Sequence, residues 1–143
     1  MGTSYEKDVV AWASEQAALL RAGKLSAIDA EHIAEEIEDV GKSEQRELAS
    51  RMAVLLAHLL KWQFQPDRRG ASWTRTIDAQ RADIAYALSD APSLKPRLED
   101  EAFMRVVWKK ALAQAVNETN IDVFPGACPW SVEQVLDERF LPE

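Results

Sequence analysis

Along the first segment, Tyr5, Val9, Trp12, Gln16 and Leu19 recur in steps of four and three, which sets them on one stripe of a helix. Gly23 can take the left-handed conformation that closes a last turn, so this helix is expected to end there. Ser26 then offers a side-chain oxygen to the free amides of a new helix, with Asp29 three residues on in a weak capping-box position. The next stripe reads Ile33, Ile37 and Val40, and after Gly41 it resumes as Leu48, Met52, Leu55, Leu59 and Trp62. As one helix, residues 28–64 would span roughly 55 Å at ~1.5 Å per residue, long for a domain of this size, and an interruption or kink near Gly41 is expected.

Pro66 lacks a backbone donor and clashes with the preceding turn, so the helix should stop before it. "DRRGAS" reads as a connector, Ser72 as the cap of the following helix, and Trp73, Ile77, Gln80, Ile84 and Leu88 as its stripe. "DAPSLKP" breaks the chain again, after which Met104, Val107, Trp108, Ala111, Leu112 and Ala115 line one side of another helix. Near the end, Ser131 as N-cap and Gln134 at the third helical position form a capping box, flanked by Trp130 and Val135 as a hydrophobic staple. A short helix over 132–138 follows. No segment alternates with period two over strand length. The pattern predicts an all-α protein: a single domain over 1–143, ordered from about 5 to 140, folded as a helical bundle of about five main helices with a short C-terminal helix.

Composition narrows the function classes. Hydrophobic residues make up 47% and charged ones 29%, values of a folded globular chain rather than a disordered one. The N-terminal residues lack a basic region followed by an apolar run, and no stretch approaches the ~18 apolar residues of a membrane span, so the expectation is a cytoplasmic protein without membrane contact. One cysteine, Cys128, excludes an internal disulfide and a thiol-based zinc site. The formal net charge of -7 is unevenly placed: residues 58–81, "HLLKWQFQPDRRGASWTRTIDAQR", hold five Lys or Arg against two acids and form the one basic island.

Taken in order, "EEIEDVGKSE" at 35–44, "LLAHLLKWQFQP" at 55–66, "SWTRTI" at 72–77 and "CPW" followed by "VEQVLD" resemble a bacterial family known as domain of unknown function 29, over residues 5–143. The resemblance implies a helical fold in bacteria. It brings no activity and no catalytic or binding residues.

Three kinds of chemistry compete for the charged segments. In the acidic run "DAEHIAEEIEDVGKSEQRE", clustered carboxylates beside a histidine could hold a divalent metal inside a bundle, which makes His32, Glu35, Glu36 and His58 candidate ligands. Against this, the di-iron pattern is Glu-x-x-His occurring twice, and here the order is His-x-x-Glu occurring once. Internal pairing is the favoured reading: Arg68, Arg69, Arg75 or Arg81 would contact Glu35, Glu36, Glu38 or Glu44, since the arginine fork suits a carboxylate. As a third reading, Arg68, Arg69, Arg75, Arg81 and Lys61, with His58 and Trp73, could bind phosphate or nucleic acid, a combination familiar in single-strand binders. Both Trp62 and Trp73 fall on apolar stripes, however, and the overall charge is wrong, so nucleic acid is disfavoured. Covalent catalysis lacks a nucleophile on a sharp turn beside His32 or His58, and no phosphate loop or dinucleotide fingerprint is present. The expectation is a non-enzymatic interaction module that needs no cofactor and acts through a protein partner or self-association.

Overall fold

The structure, a computed structural model, describes residues 2–143. Among them are five α-helices and no strand: α1 (Val9–Arg21), α2 (Ala30–Phe64), α3 (Ala71–Asp90), α4 (Glu101–Thr119) and α5 (Val132–Leu136). Short 3-10 turns at Leu25–Ala27, Pro66–Arg68 and Pro92–Glu99 join them. The all-α class read from the periodicity is the class observed. Packing divides the chain into two compact units, the first ending at Ser43 and the second Glu44–Glu143, so that α2 contributes to both.

In the first unit, Asp8 caps α1 by accepting the Ala11 amide at 3.1 Å, and Gly23 closes it with φ 73, in the left-handed region that glycine tolerates. The start of α2 departs from expectation. Ser26 lies inside the 3-10 turn, and Asp29 is the cap, its Oδ1 accepting the His32 amide at 3.3 Å. A carboxylate is the better acceptor for amides at the positive end of a helix dipole. Buried Gln16 fixes the cap from behind, its Oε1 accepting the Asp29 amide at 2.7 Å.

Helix α2 then runs through Gly41 without interruption, in place of the expected break. Glycine inside a helix costs roughly 1 kcal/mol relative to alanine, which is too little to end a helix of 35 residues. A second departure concerns burial. Ile33 is half-buried, but Ile37 and Val40, read as core positions, are 67% and 66% exposed. The next steps of their stripe, Glu44 and Glu47, are acidic, so the stripe does not continue as a core seam.

In the second unit, α2 becomes the central helix. From Met52 to Lys61 every residue but Val54 is buried, leaving no polar face of the kind a surface helix keeps. Around Leu55, Leu56, Leu59 and Leu60 pack Ile77 and Ile84 of α3, Val107 and Ala111 of α4, and Val135 of α5. Phe64 ends α2 ahead of Pro66, as the proline dictates. Ser72 does not cap α3, which starts at Ala71 with Gly70 as an N-cap that makes no side-chain bond; the Ser72 carbonyl instead accepts the Thr76 hydroxyl at 3.1 Å. The capping box of Ser131 and Gln134 forms as read, and α5 ends at Leu136.

Candidate functional site

The residues singled out by sequence fall into two groups, one in each unit. In the first unit, His32 stands at the third position of α2 and is held from several sides. Its Nδ1 lies 2.7 Å from Asp29 Oδ2 and its Nε2 3.4 Å from Glu6 Oε1. Trp12 Nε1 donates to the same Asp29 Oδ2 at 3.1 Å. The Tyr5 ring stacks on the imidazole at 4.2 Å and meets Trp12 edge-on at 4.8 Å, and its hydroxyl bonds Glu36 Oε1.

The electrostatics follow from these contacts. The Asp29 carboxylate raises the His32 pKa above the usual 6.5, and the bonded imidazole in turn lowers that of Asp29 below 3.8. The hydrogen bond to Glu36 pushes Tyr5 up to about 12. The cluster therefore ties the segment before α1 to the start of α2 through His32, Tyr5 and the carboxylates of Glu6, Asp29 and Glu36.

As metal ligands the four sequence candidates are poorly disposed. Both His32 nitrogens face carboxylates, Glu36 is engaged by Tyr5, and Glu35 is exposed. In the second unit, His58 is buried and its Nδ1 is 2.8 Å from the Val54 carbonyl, while burial lowers its pKa. No group of three or more His, Cys, Asp or Glu among the described residues could hold a metal ion.

The basic segment turns inward. Lys61 is 7% exposed, its Nζ bonded to Glu118 Oε1 at 2.9 Å and placed 5.3 Å above the Trp73 ring. Burial works to raise the Glu118 carboxyl, but the Lys61 ammonium and the Gln114 amide hold it below its usual value. Arg69 donates through Nε to the Trp62 carbonyl at 2.7 Å, in the last turn of α2, and lies 5.0 Å over the Trp62 ring. Arg81 is 4% exposed and donates to the carbonyls of Val135 and Phe140, both at 2.8 Å. These two arginines thus end on main-chain carbonyls rather than on the carboxylates of 35–44 expected for them. Helix ends leave carbonyls without internal partners, and a fixed guanidinium fork satisfies them where no amide can. Arg68 and Arg75 remain exposed. With Lys61, Arg69 and Arg81 committed, the constellation proposed for phosphate is not assembled as one patch.

Sequence reasoning missed a different surface. Exposed large apolar side chains concentrate in the first unit: Val9, Val10, Leu20, Leu25, Ile37 and Val40. The same residues up to Ser43 carry nine acids against four Lys or Arg, which accounts for -5 of the chain's -7. A signal for this surface was present: the stripe Ile33, Ile37, Val40 is succeeded at its next two positions by Glu44 and Glu47.

Among known proteins, the family described as "Domain of unknown function DUF29" matches residues 4–141. No curated protein and no solved structure matches.

Proposed function

Because the chain belongs to the DUF29 family over nearly its whole length, and that description names no activity, we propose a function from the geometry: a non-enzymatic module that binds another protein through its first unit. The observation that carries this reading is the exposure of Ile37 and Val40 on an unbroken helix, with four further apolar side chains exposed in the same 43 residues. Ile37 and Val40 lie one turn apart on one side of that helix, and adjoining exposed apolar side chains are a mark of association sites rather than of a solvated face. The chemistry elsewhere gives an enzyme little support: His32 and Lys61 each sit in closed sets of partners, and the Cys128 thiol is half-buried and pushed up by burial, the reverse of an activated nucleophile. The same proposal places the protein in the bacterial cytoplasm, where a lone cysteine stays reduced.

Native mass spectrometry of protein purified from its own host without chelators tests this reading. A stoichiometric protein complex is expected, and it should be lost when Ile37→Ser and Val40→Ser are combined. A protein recovered alone, or a complex indifferent to those substitutions, would remove the proposal.

A further inference from the structure

We infer that residues 3–8, ahead of α1, form a strap whose hold on the start of α2 is a pH switch, closed while His32 carries a proton on both ring nitrogens and opened when Nε2 loses its own. The switch is independent of whether Ile37 and Val40 meet a partner. The strap has its own structure. The Ser4 carbonyl accepts the amides of Lys7 at 3.2 Å and Asp8 at 3.1 Å, and the Ser4 hydroxyl donates to Glu6 Oε2 at 2.9 Å. Glu6 Oε1 is thereby left to His32 Nε2, 3.4 Å away. At the other end, the amide and hydroxyl of Thr3 both donate to the Glu15 carboxylate of α1, at 2.6 and 2.7 Å. Between these points the Tyr5 ring lies on the imidazole at 4.2 Å, tilted by 14°, and meets Trp12, which is only 4% exposed.

The proton count of the ring decides whether the strap is held. A neutral imidazole has one N–H and one lone pair. Asp29 Oδ2, at 2.7 Å, is the nearer carboxylate and keeps the N–H on Nδ1, so the lone pair of Nε2 then faces Glu6 Oε1, acceptor against acceptor. The proton on Nε2 is therefore what joins the strap to α2, and it also makes the ring a cation beneath Tyr5. Nothing around it supplies a substitute. His32 is faced by Glu6 from the strap, by uncharged Trp12 from α1, and by Asp29 and Glu35 from the start of α2; Glu36 and Asp39 stand near Tyr5. Among the described residues no lysine or arginine pairs with any of these acids. Without the proton, Glu6 stands against like charges, and the strap retains its bonds to Glu15 and Glu36 but not its ion pair. Because the bond to Asp29 raises His32 above the usual 6.5, the strap is closed below that pH and opens as pH rises through the raised value.

The test follows solvent exchange of the Trp12 indole N–H in the full chain across the His32 titration, both read by NMR on one sample, with exchange corrected for its intrinsic pH dependence. Protection should fall about three- to tenfold in a single step that shares the midpoint of the His32 ring, as expected for the loss of one exposed ion pair and one cation–π contact. Glu6→Gln should remove most of that step, because a side-chain amide can donate to the bare Nε2 where a carboxylate cannot. The Glu6 side chain is 71% exposed, so the fold is retained. In the second unit the Trp108 indole, which donates to the Pro125 carbonyl at 3.3 Å, should show no step. Protection of Trp12 that stays constant through the His32 titration would overturn the inference. So would a step that Glu6→Gln leaves undiminished, or an equal step at Trp108, which would mark a loss of global stability in place of an opening strap.

Discussion

Replacing Arg81 by alanine should destabilise the second unit more than its place on a helix surface in the sequence would indicate. The side chain is nearly fully buried, and its guanidinium donates to the carbonyls of Val135, in the last turn of α5, and Phe140, beyond it. Each hydrogen bond from a charged donor contributes ~1.5–3 kcal/mol, and its loss leaves a carbonyl without a partner. Two such bonds give ~3–6 kcal/mol, a large fraction of the ~5–15 kcal/mol that holds an ordinary domain together. Burial makes the cation costly and lowers its pKa, with nearby Asp78, Asp137 and Glu138 acting against that in part. Urea denaturation followed by circular dichroism gives the global loss. Hydrogen exchange at residues 132–142 reports whether the C-terminal segment detaches first, in which case the exchange rates rise more than the global midpoint falls. Arg81→Lys should recover less than half of the stability, because an ammonium cannot span two carbonyls in a fixed fork. A loss below ~1 kcal/mol with unchanged exchange in the C-terminal segment would refute the reasoning.

Three further outcomes follow from the first unit. The His32 contribution is fully present below pH 6.5 and fades as pH rises through its raised folded value, while the Asp29 contribution is present above pH 3.8 and fades as pH falls through its lowered one. Their tie is therefore strongest between those limits. An NMR titration of the His32 ring should give a midpoint above 6.5 that drops in Asp29→Asn; a midpoint at or below 6.5 in the native chain would contradict the geometry. Gly41→Ala should stabilise the chain by ~0.5–1 kcal/mol in thermal or urea melts, since the position is helical and an added Cβ meets nothing. Destabilisation there would mean that α2 does bend at Gly41. Ile37→Ser and Val40→Ser should each change stability by no more than ~0.5 kcal/mol, whereas Leu55→Ala, fully buried in the central helix, should cost ~2–5 kcal/mol by the same melts. Comparable losses at the two kinds of site would show that the seam is core after all.

The parts of the fold that were legible in the sequence are those set by local chemistry. Pro66 stops α2, Gly23 closes α1, and the Ser131–Gln134 box starts α5, because each depends on a backbone donor, a φ angle or a short-range oxygen that the residue itself supplies. Where two acceptors competed locally the reading failed: Asp29 displaced Ser26 as the cap of α2 because a carboxylate, supported by Gln16 and Trp12, outbids a hydroxyl for the same amides. Burial was less legible than helix type. Ile33, Ile37 and Val40 have the spacing of a core stripe, and spacing alone does not say whether anything lies opposite. Their acidic successors, Glu44 and Glu47, were the better guide. The arginines were read wrongly for a deeper reason. A sequence displays carboxylates but not the unpartnered carbonyls of helix ends, and Arg69 and Arg81 found carbonyls. The two errors are linked. Internal pairing would have covered the acids of α2's first half, and with those arginines committed to the main chain, Glu31, Glu35, Glu38 and Asp39 stay exposed and outside any ion pair among the described residues. Spacing alone assigns an apolar seam to the core; whether anything packs opposite it decides its burial, and Ile37 and Val40 stay exposed.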